Sequence, residues 1–189
     1  MATEKKLPVG SVLVVATLAA LCINQIIISA VNGEVIVSTT AEEDRLKDVF
    51  PDADVFLAET EKLPHYKAYR TDPRTGDRTL LGFVFMTHEV EPDEWAYASE
   101  IEALVGVTTG GTITKVMIVD HYEPFGYFSI DLPEFVEQFE GKSILDRFEV
   151  GRDIDAVTSA TMSVEGTARV IRNSARRILR QHLLEQKNR

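Results

Sequence analysis

The sequence predicts an α+β protein in which one N-terminal transmembrane helix is followed by a single domain of antiparallel β-hairpins packed with a long C-terminal helix. Three observations carry that expectation. An apolar run from Leu7 to Val31 opens the chain, two pairs of β-patterned segments flank Gly-bearing turns between His65 and Glu123, and apolar residues recur at helical spacing from Val164 to Leu183. A length of 189 residues suits one domain plus an appendage. With 44% hydrophobic and 26% charged residues, the chain is too apolar for a disordered protein and too polar for a bundle of membrane helices.

The opening run, LPVGSVLVVATLAALCINQIIISAV, rises about 1.5 Å per residue as a helix and is long enough to cross a hydrocarbon core of about 30 Å. A cleaved signal peptide is the rival reading, but its apolar region is about 7–15 residues and ends in a small-x-small site. Here the run continues past Asn24 and Gln25. Lys5 and Lys6 precede it, while Glu34, Glu42, Glu43 and Asp44 follow, so the positive-inside rule sets the N-terminus in the cytoplasm. The expected organisation is a cytoplasmic N-terminus at 1–6, an anchor at 7–31, a linker at 32–40 and an extracytoplasmic domain at 41–189. In a bacterium that is a single-pass protein of the inner membrane with its domain on the periplasmic side. Asn24 and Gln25 either touch a partner helix or reach water and headgroups near the interface.

The single cysteine, Cys22, lies inside this run and reads as a buried membrane cysteine. It excludes an internal disulfide framework, a four-cysteine zinc site and an iron–sulfur cluster ligated by cysteines of this chain alone. Redox chemistry would need another cofactor.

The exterior elements follow in order. AEEDRLKDVF sets Leu46, Val49 and Phe50 at helical spacing with acids in its first turn, and Pro51 and Asp52 stop it. HYKAYRT and RTLLGFVFMTH flank DPRTGD, whose Pro73 and Gly76 suit a reversal, so they predict one hairpin. IEALVGV and ITKVMIVDHYE flank Gly110-Gly111 and predict a second, with the later strand expected to be buried on both faces. DLPEFVEQFEG, with Phe135 and Phe139 four apart, predicts a short helix. A long helix is expected from about Ser163 to Lys187, with Val164, Ala168, Ile171, Ala175, Ile178, Leu179 and Leu183 as its inner stripe.

A net charge of -10 argues against nucleic acid as the partner of the whole domain. The charge is uneven, with acids from Glu42 to Glu61 and from Glu89 to Glu102, and no Lys or Arg between His88 and Thr114. Arg169, Arg172, Arg176, Arg177 and Arg180 fall in the last helix. They read as a solvated face that complements the helix dipole, in preference to an RNA-binding stripe.

The loop into that helix reads DAVTSATMSVEG, Asp155 to Gly166. Open amides in a first helical turn favour an anion, Thr158, Ser159, Thr161 and Ser163 add hydroxyls, and Ala160 leaves room for a bulky group. A helix N-cap explains the same hydroxyls through backbone satisfaction alone, and both readings stand at this point.

Asp155-Ala156-Val157-Thr158-Ser159-Ala160-Thr161 resembles the flavinylation motif of the FMN-binding domain family, which includes the RnfG, NqrC and NosR types. The likeness extends over nearly all of the exterior chain and is nearest the NosR-type branch. It takes in the anchor, VFPDAD, LGFVFMT, the IEALVGV and ITKVMIVDHYEP segments and the terminal motif-helix. The resemblance implies FMN bound covalently to Thr161 through a phosphoester. Asp155 and Thr158 would serve recognition by a separate flavin transferase, and Ser159 stands where the family often has Gly. Ala160 matches the motif's Ala, and Met162 stands where a hydroxyl is usual. Within HYEP, His121 to Pro124, Glu123 matches a family glutamate that lies against the flavin.

His121 and Glu123, two apart on a strand, do not by themselves supply the three or four ligands of a metal site. Tyr122, Phe125, Tyr127 and Phe128 either stack on an isoalloxazine ring or fill core. No Ser-His-Asp triad, P-loop or dinucleotide fingerprint appears in the sequence. The resemblance therefore implies an electron-transfer subunit rather than a stand-alone enzyme, which relays electrons within a larger membrane redox complex. Its partners would be met through the transmembrane helix and the acidic surface, and a flavin transferase would mature it. The alternatives are a NosR-like regulatory or assembly subunit, and a structural subunit without flavin.

Overall fold

The computed structural model describes residues 26–31 and 34–188. Within them the domain is α+β, a five-stranded antiparallel sheet in the order β3-β4-β5-β6-β7 with helices on both faces. Its strands are β3 (Val55–Glu59), β4 (His65–Thr71), β5 (Arg78–Met86), β6 (Ile101–Thr108) and β7 (Ile113–His121). Each follows its neighbour in sequence, so every connection is a local reversal or a short excursion. The two expected hairpins are β4–β5, joined through Asp72–Asp77, and β6–β7, joined at Gly110-Gly111.

Preceding the sheet, β1 (Ile26–Val31) and β2 (Glu34–Thr39) pair as a separate antiparallel ribbon. The end of the expected 7–31 span and most of the 32–40 linker are therefore extended, a conformation that their Ile and Val residues favour. Residues 7–25 of that span, with Cys22, Asn24, Gln25 and the cytoplasmic 1–6 segment, lie outside the described residues. Among the described residues no helix is long and apolar enough to cross a membrane.

Alternation along β6 divides the core. Ile101, Ala103, Val105 and Val107 face the larger cluster, with Phe83, Phe85, Phe135, Phe139, Ile171 and Ile178, whereas Leu104 faces a smaller one. The smaller cluster is covered by α1 (Thr40–Val49), whose Leu46 and Val49, with the following Phe50, pack on Phe56, Ala68 and Val84. The larger is covered by α3 (Pro133–Val136), by the 3-10 turn Glu137–Phe139 and by α4 (Thr161–Lys187).

Three expectations are corrected. β7 is an edge strand rather than one buried on both faces, and Lys115, Val119 and Asp120 are exposed along it. Leu183 is 61% exposed, because the inner stripe of α4 leaves the sheet after Leu179. β3 and the single turn α2 (Thr87–Val90) were not anticipated, since five and four residues are too few to show a period.

Candidate functional site

The peptide Asp155–Ala160 runs across the surface with Asp155, Ala156, Thr158 and Ser159 exposed and Val157 half-buried against the core, and turns into α4 at the buried Ala160. Ser159 adopts φ 69°, a left-handed conformation that disfavours an L side chain and that glycine accepts without strain. Ala160 is the N-cap residue and no side chain caps the helix. The hydroxyls of the motif therefore do not act as N-caps, which removes the backbone-satisfaction account left open by the sequence. The first intrahelical bond runs from Val164 N–H to Ala160 O at 3.0 Å, so the amides of Thr161, Met162 and Ser163 carry the positive end of the helix dipole with no side-chain acceptor. No acid occupies this first turn. Thr161, its first residue, is exposed, and so is Met162.

Ser163 points the other way. It is buried, and its hydroxyl donates to Glu123 Oε2 at 2.5 Å. Glu123, only 6% exposed, accepts on Oε1 from the backbone N–H groups of Tyr97, Ala98 and Ser99 at 3.1, 2.8 and 3.0 Å. Burial alone would push this carboxyl up. The Ser163 hydroxyl and the amides of Ala98, Ser99 and Tyr97 outweigh it and hold the group below its ordinary value of 4.5. Glu123 thus ties the end of β7 to the 97–99 strap and to the first turn of α4.

The strap is fastened from both sides. Ala96 lies on Gly166 of α4, where a Cβ would come within 2.4 Å of Ala96 Cα. Arg169 donates to Glu94 Oε2 at 2.9 Å and to Trp95 O at 2.6 Å, and Asn173 donates to Glu94 Oε1 at 3.0 Å. Farther along α4, Arg177 reaches Val90 O and Glu91, Arg176 reaches Ile144 O and Asp146 O, and Arg172 reaches Arg147 O. These arginines were expected to be a solvated face. Four of them instead donate to backbone carbonyls of neighbouring segments, where a guanidinium satisfies C=O groups beside the helix.

His121 closes the other end of the network. Its Nδ1 accepts from Glu123 N–H at 3.0 Å and its Nε2 meets Asp131 Oδ1 at 2.8 Å. The ring lies against Gly126, where a Cβ would come within 2.0 Å of its Cε1. Around this corner Trp95, Tyr97, Tyr122, Phe125 and Tyr127 are exposed, so these aromatics, including three expected either to stack or to fill core, are not core. Phe128 is half-buried against Phe125 and Tyr127.

Of the site residues expected from sequence, Asp155, Thr158, Ser159, Ala160 and Thr161 come together as one continuous peptide. Asp155 is fixed by its backbone, whose N–H donates to Gln138 Oε1 at 2.7 Å, while its carboxylate is exposed. Glu123 joins them through Ser163. The 97–99 amides, His121 and Asp131 were not anticipated as parts of this network, since backbone donors leave no sequence signal and the bonds to the strap, Asp131 and Ser163 span 10 to 40 positions. Beside the site, a groove of about 570 Å³ runs along α4 from Glu165 to Arg176 against loop 145–150.

An open helix N-terminus, no first-turn acid, an exposed hydroxyl and nearby aromatic rings fit a phosphate-bearing aromatic cofactor. Residues 96–176 match the model of the FMN-binding domain, which begins at the strap and ends within α4. That match supports the FMN-binding domain family and a flavin-binding role for this part of the chain. No curated protein matches the chain significantly.

Proposed function

We propose that the protein is an electron-transfer flavoprotein subunit carrying FMN as a phosphoester on Thr161, anchored in the membrane and working within a larger redox complex on the extracytoplasmic side. The observation that carries this reading is the exposed Thr161 hydroxyl at the first position of an uncapped helix, inside residues matched to the FMN-binding domain. The apolar run that opens at Leu7 supports the anchor.

FMN, when bound, supplies one- and two-electron transfer. A flavin transferase would form the bond between Thr161 Oγ1 and the FMN phosphorus, breaking the pyrophosphate of FAD; AMP leaves and the hydroxyl proton passes to solvent. The 161–163 amides, at the positive end of α4, would favour the resulting phosphodiester's charge. Tyr97, Tyr122, Phe125 and Tyr127 offer exposed rings for an isoalloxazine. Asp155 and Thr158, exposed beside Thr161, are open to the transferase. The net charge of -10 provides an acidic surface for docking of redox subunits.

Intact mass and in-gel fluorescence after denaturation, with and without a flavin transferase, test this. The expected result is a fluorescent adduct of FMN mass that disappears in Thr161→Ala and persists in Thr161→Ser. An unmodified chain beside an active transferase would sink the covalent reading and favour a structural or sensory subunit.

A further inference from the structure

We infer that Asp131, His121, Glu123 and Ser163 form a hydrogen-bonded relay that substitutes for the missing N-cap of α4 and fixes the turn presenting Thr161. The presentation part rests on the proposed attachment of FMN; the fixing of the turn does not. These are positioning residues, since none of them carries the acceptor hydroxyl.

The polarity of the relay follows from its fixed donors. Glu123 N–H can only donate, so His121 Nδ1 must accept, which leaves the ring hydrogen of the neutral imidazole on Nε2, donated to Asp131. Gly126 permits the ring to lie against the backbone at that angle, because any Cβ there would overlap it. With the Glu123 backbone held at one end, its carboxylate receives three strap amides on one oxygen and Ser163 on the other. Each acceptor faces a donor, and the strap, α4 and Asp131 reach the 121–123 segment from elsewhere in the chain.

The need for this arrangement lies in the start of α4. A helix whose N-cap is alanine has no local device to hold its first turn, and uncapped ends fray. Ser163 is the third residue of the helix, 2% exposed, and its bond reaches a charged acceptor that is itself held by three backbone donors. The first turn is thereby pinned from the sheet side. Thr161, two residues earlier, is left facing outward.

Hydrogen exchange of the full-length protein without flavin, read on peptides covering 160–165 and 96–100, tests the relay. FMN attachment by the transferase is timed in parallel on the same variants. Ser163→Ala removes a single hydroxyl and is expected to speed exchange at 164–165, where the bonded amides of α4 begin, by about tenfold or more, with the rest of α4 unchanged. Attachment to Thr161 should slow by a similar factor. Glu123→Gln, which keeps one acceptor oxygen for the strap amides and puts an amide NH2 donor in place of the other oxygen, should fall between wild type and Ser163→Ala. Asp131→Asn keeps an acceptor for His121 and should remain near wild type, whereas Asp131→Ala should not. Unchanged exchange at 164–165 in Ser163→Ala would overturn the relay, as would faster exchange spread evenly over the domain. Faster local exchange with an unchanged attachment rate would overturn the presentation of Thr161. A wild-type chain that never accepts FMN would instead overturn the proposed function, leaving the exchange result to decide the relay alone.

Discussion

The two faces of the sheet are covered by helices held in different ways. On one, α1 and Phe50 dock through Leu46, Val49 and Phe50 on Phe56, Ala68, Val84 and Leu104, with Thr114 donating to Val49 O at 2.7 Å and Tyr66 bonded to Glu42. On the other, α4 adds to its apolar stripe the Glu123–Ser163 bond, the Arg169–Glu94 and Arg177–Glu91 pairs, and arginines on loop carbonyls. Burial of apolar area is non-directional, so it fixes a helix to a face more firmly than it fixes its position along the axis. Directional bonds supply that position. The α4 face, on which the proposed function depends, carries more of them.

The largest effects should be alike on both faces. Phe50→Ala and Ile171→Ala each empty a fully buried position and are expected to cost about 3–5 kcal/mol in chemical denaturation. A much smaller loss on either side would mean that face is not a packed core. Next, Glu123→Ala leaves three amides and a buried hydroxyl without their acceptor and should cost about 2–4 kcal/mol. Thr114→Val, the corresponding polar loss on the α1 side, should cost about 1 kcal/mol in the same assay. Equal losses for these two would erase the contrast drawn above.

The same contrast has a pH signature. Because the folded protein holds Glu123 below its ordinary value of 4.5, the unfolded chain binds its proton more tightly. Its contribution is present above that value and is lost as pH falls through the lower folded value. Denaturation midpoints taken from pH 6 downward should therefore drop less steeply in Glu123→Gln than in wild type. Parallel curves would show that the carboxylate's charge is not what the network holds. The smallest expected change is a gain: Ser159→Gly relieves the positive φ and should stabilise by up to about 1 kcal/mol, read as a raised midpoint.

Much of the domain was legible in the chain because its signals are local. The hairpins announced themselves through alternation and the turns at Gly76 and Gly110-Gly111, α1 through Leu46, Val49 and Phe50, and α4 through a stripe correct from Val164 to Leu179. β3 and α2 escaped notice because each is shorter than the window in which a period can be counted. The exposure of β7 escaped because an edge position depends on which strands pair, and Ile113, Val116 and Ile118 look the same at an edge as in the middle. The motif peptide was found because its residues are contiguous.

The sequence by itself determined the two hairpins, α1 and the apolar stripe of α4, and put Thr161 in the peptide leading into the last helix, since each follows from neighbours within a few residues. The tertiary structure alone decided how that head is held. The acidic stretch around Glu91 and Glu94 and the arginines of α4 appear in the chain as separate charge runs, yet Arg169 and Glu94 form a pair across 75 positions. Glu123 meets Ser163 across 40 positions and takes its other bonds from amides that every residue but proline possesses. A backbone N–H has no letter in the sequence, and only the folded chain brings three of them to one carboxylate oxygen.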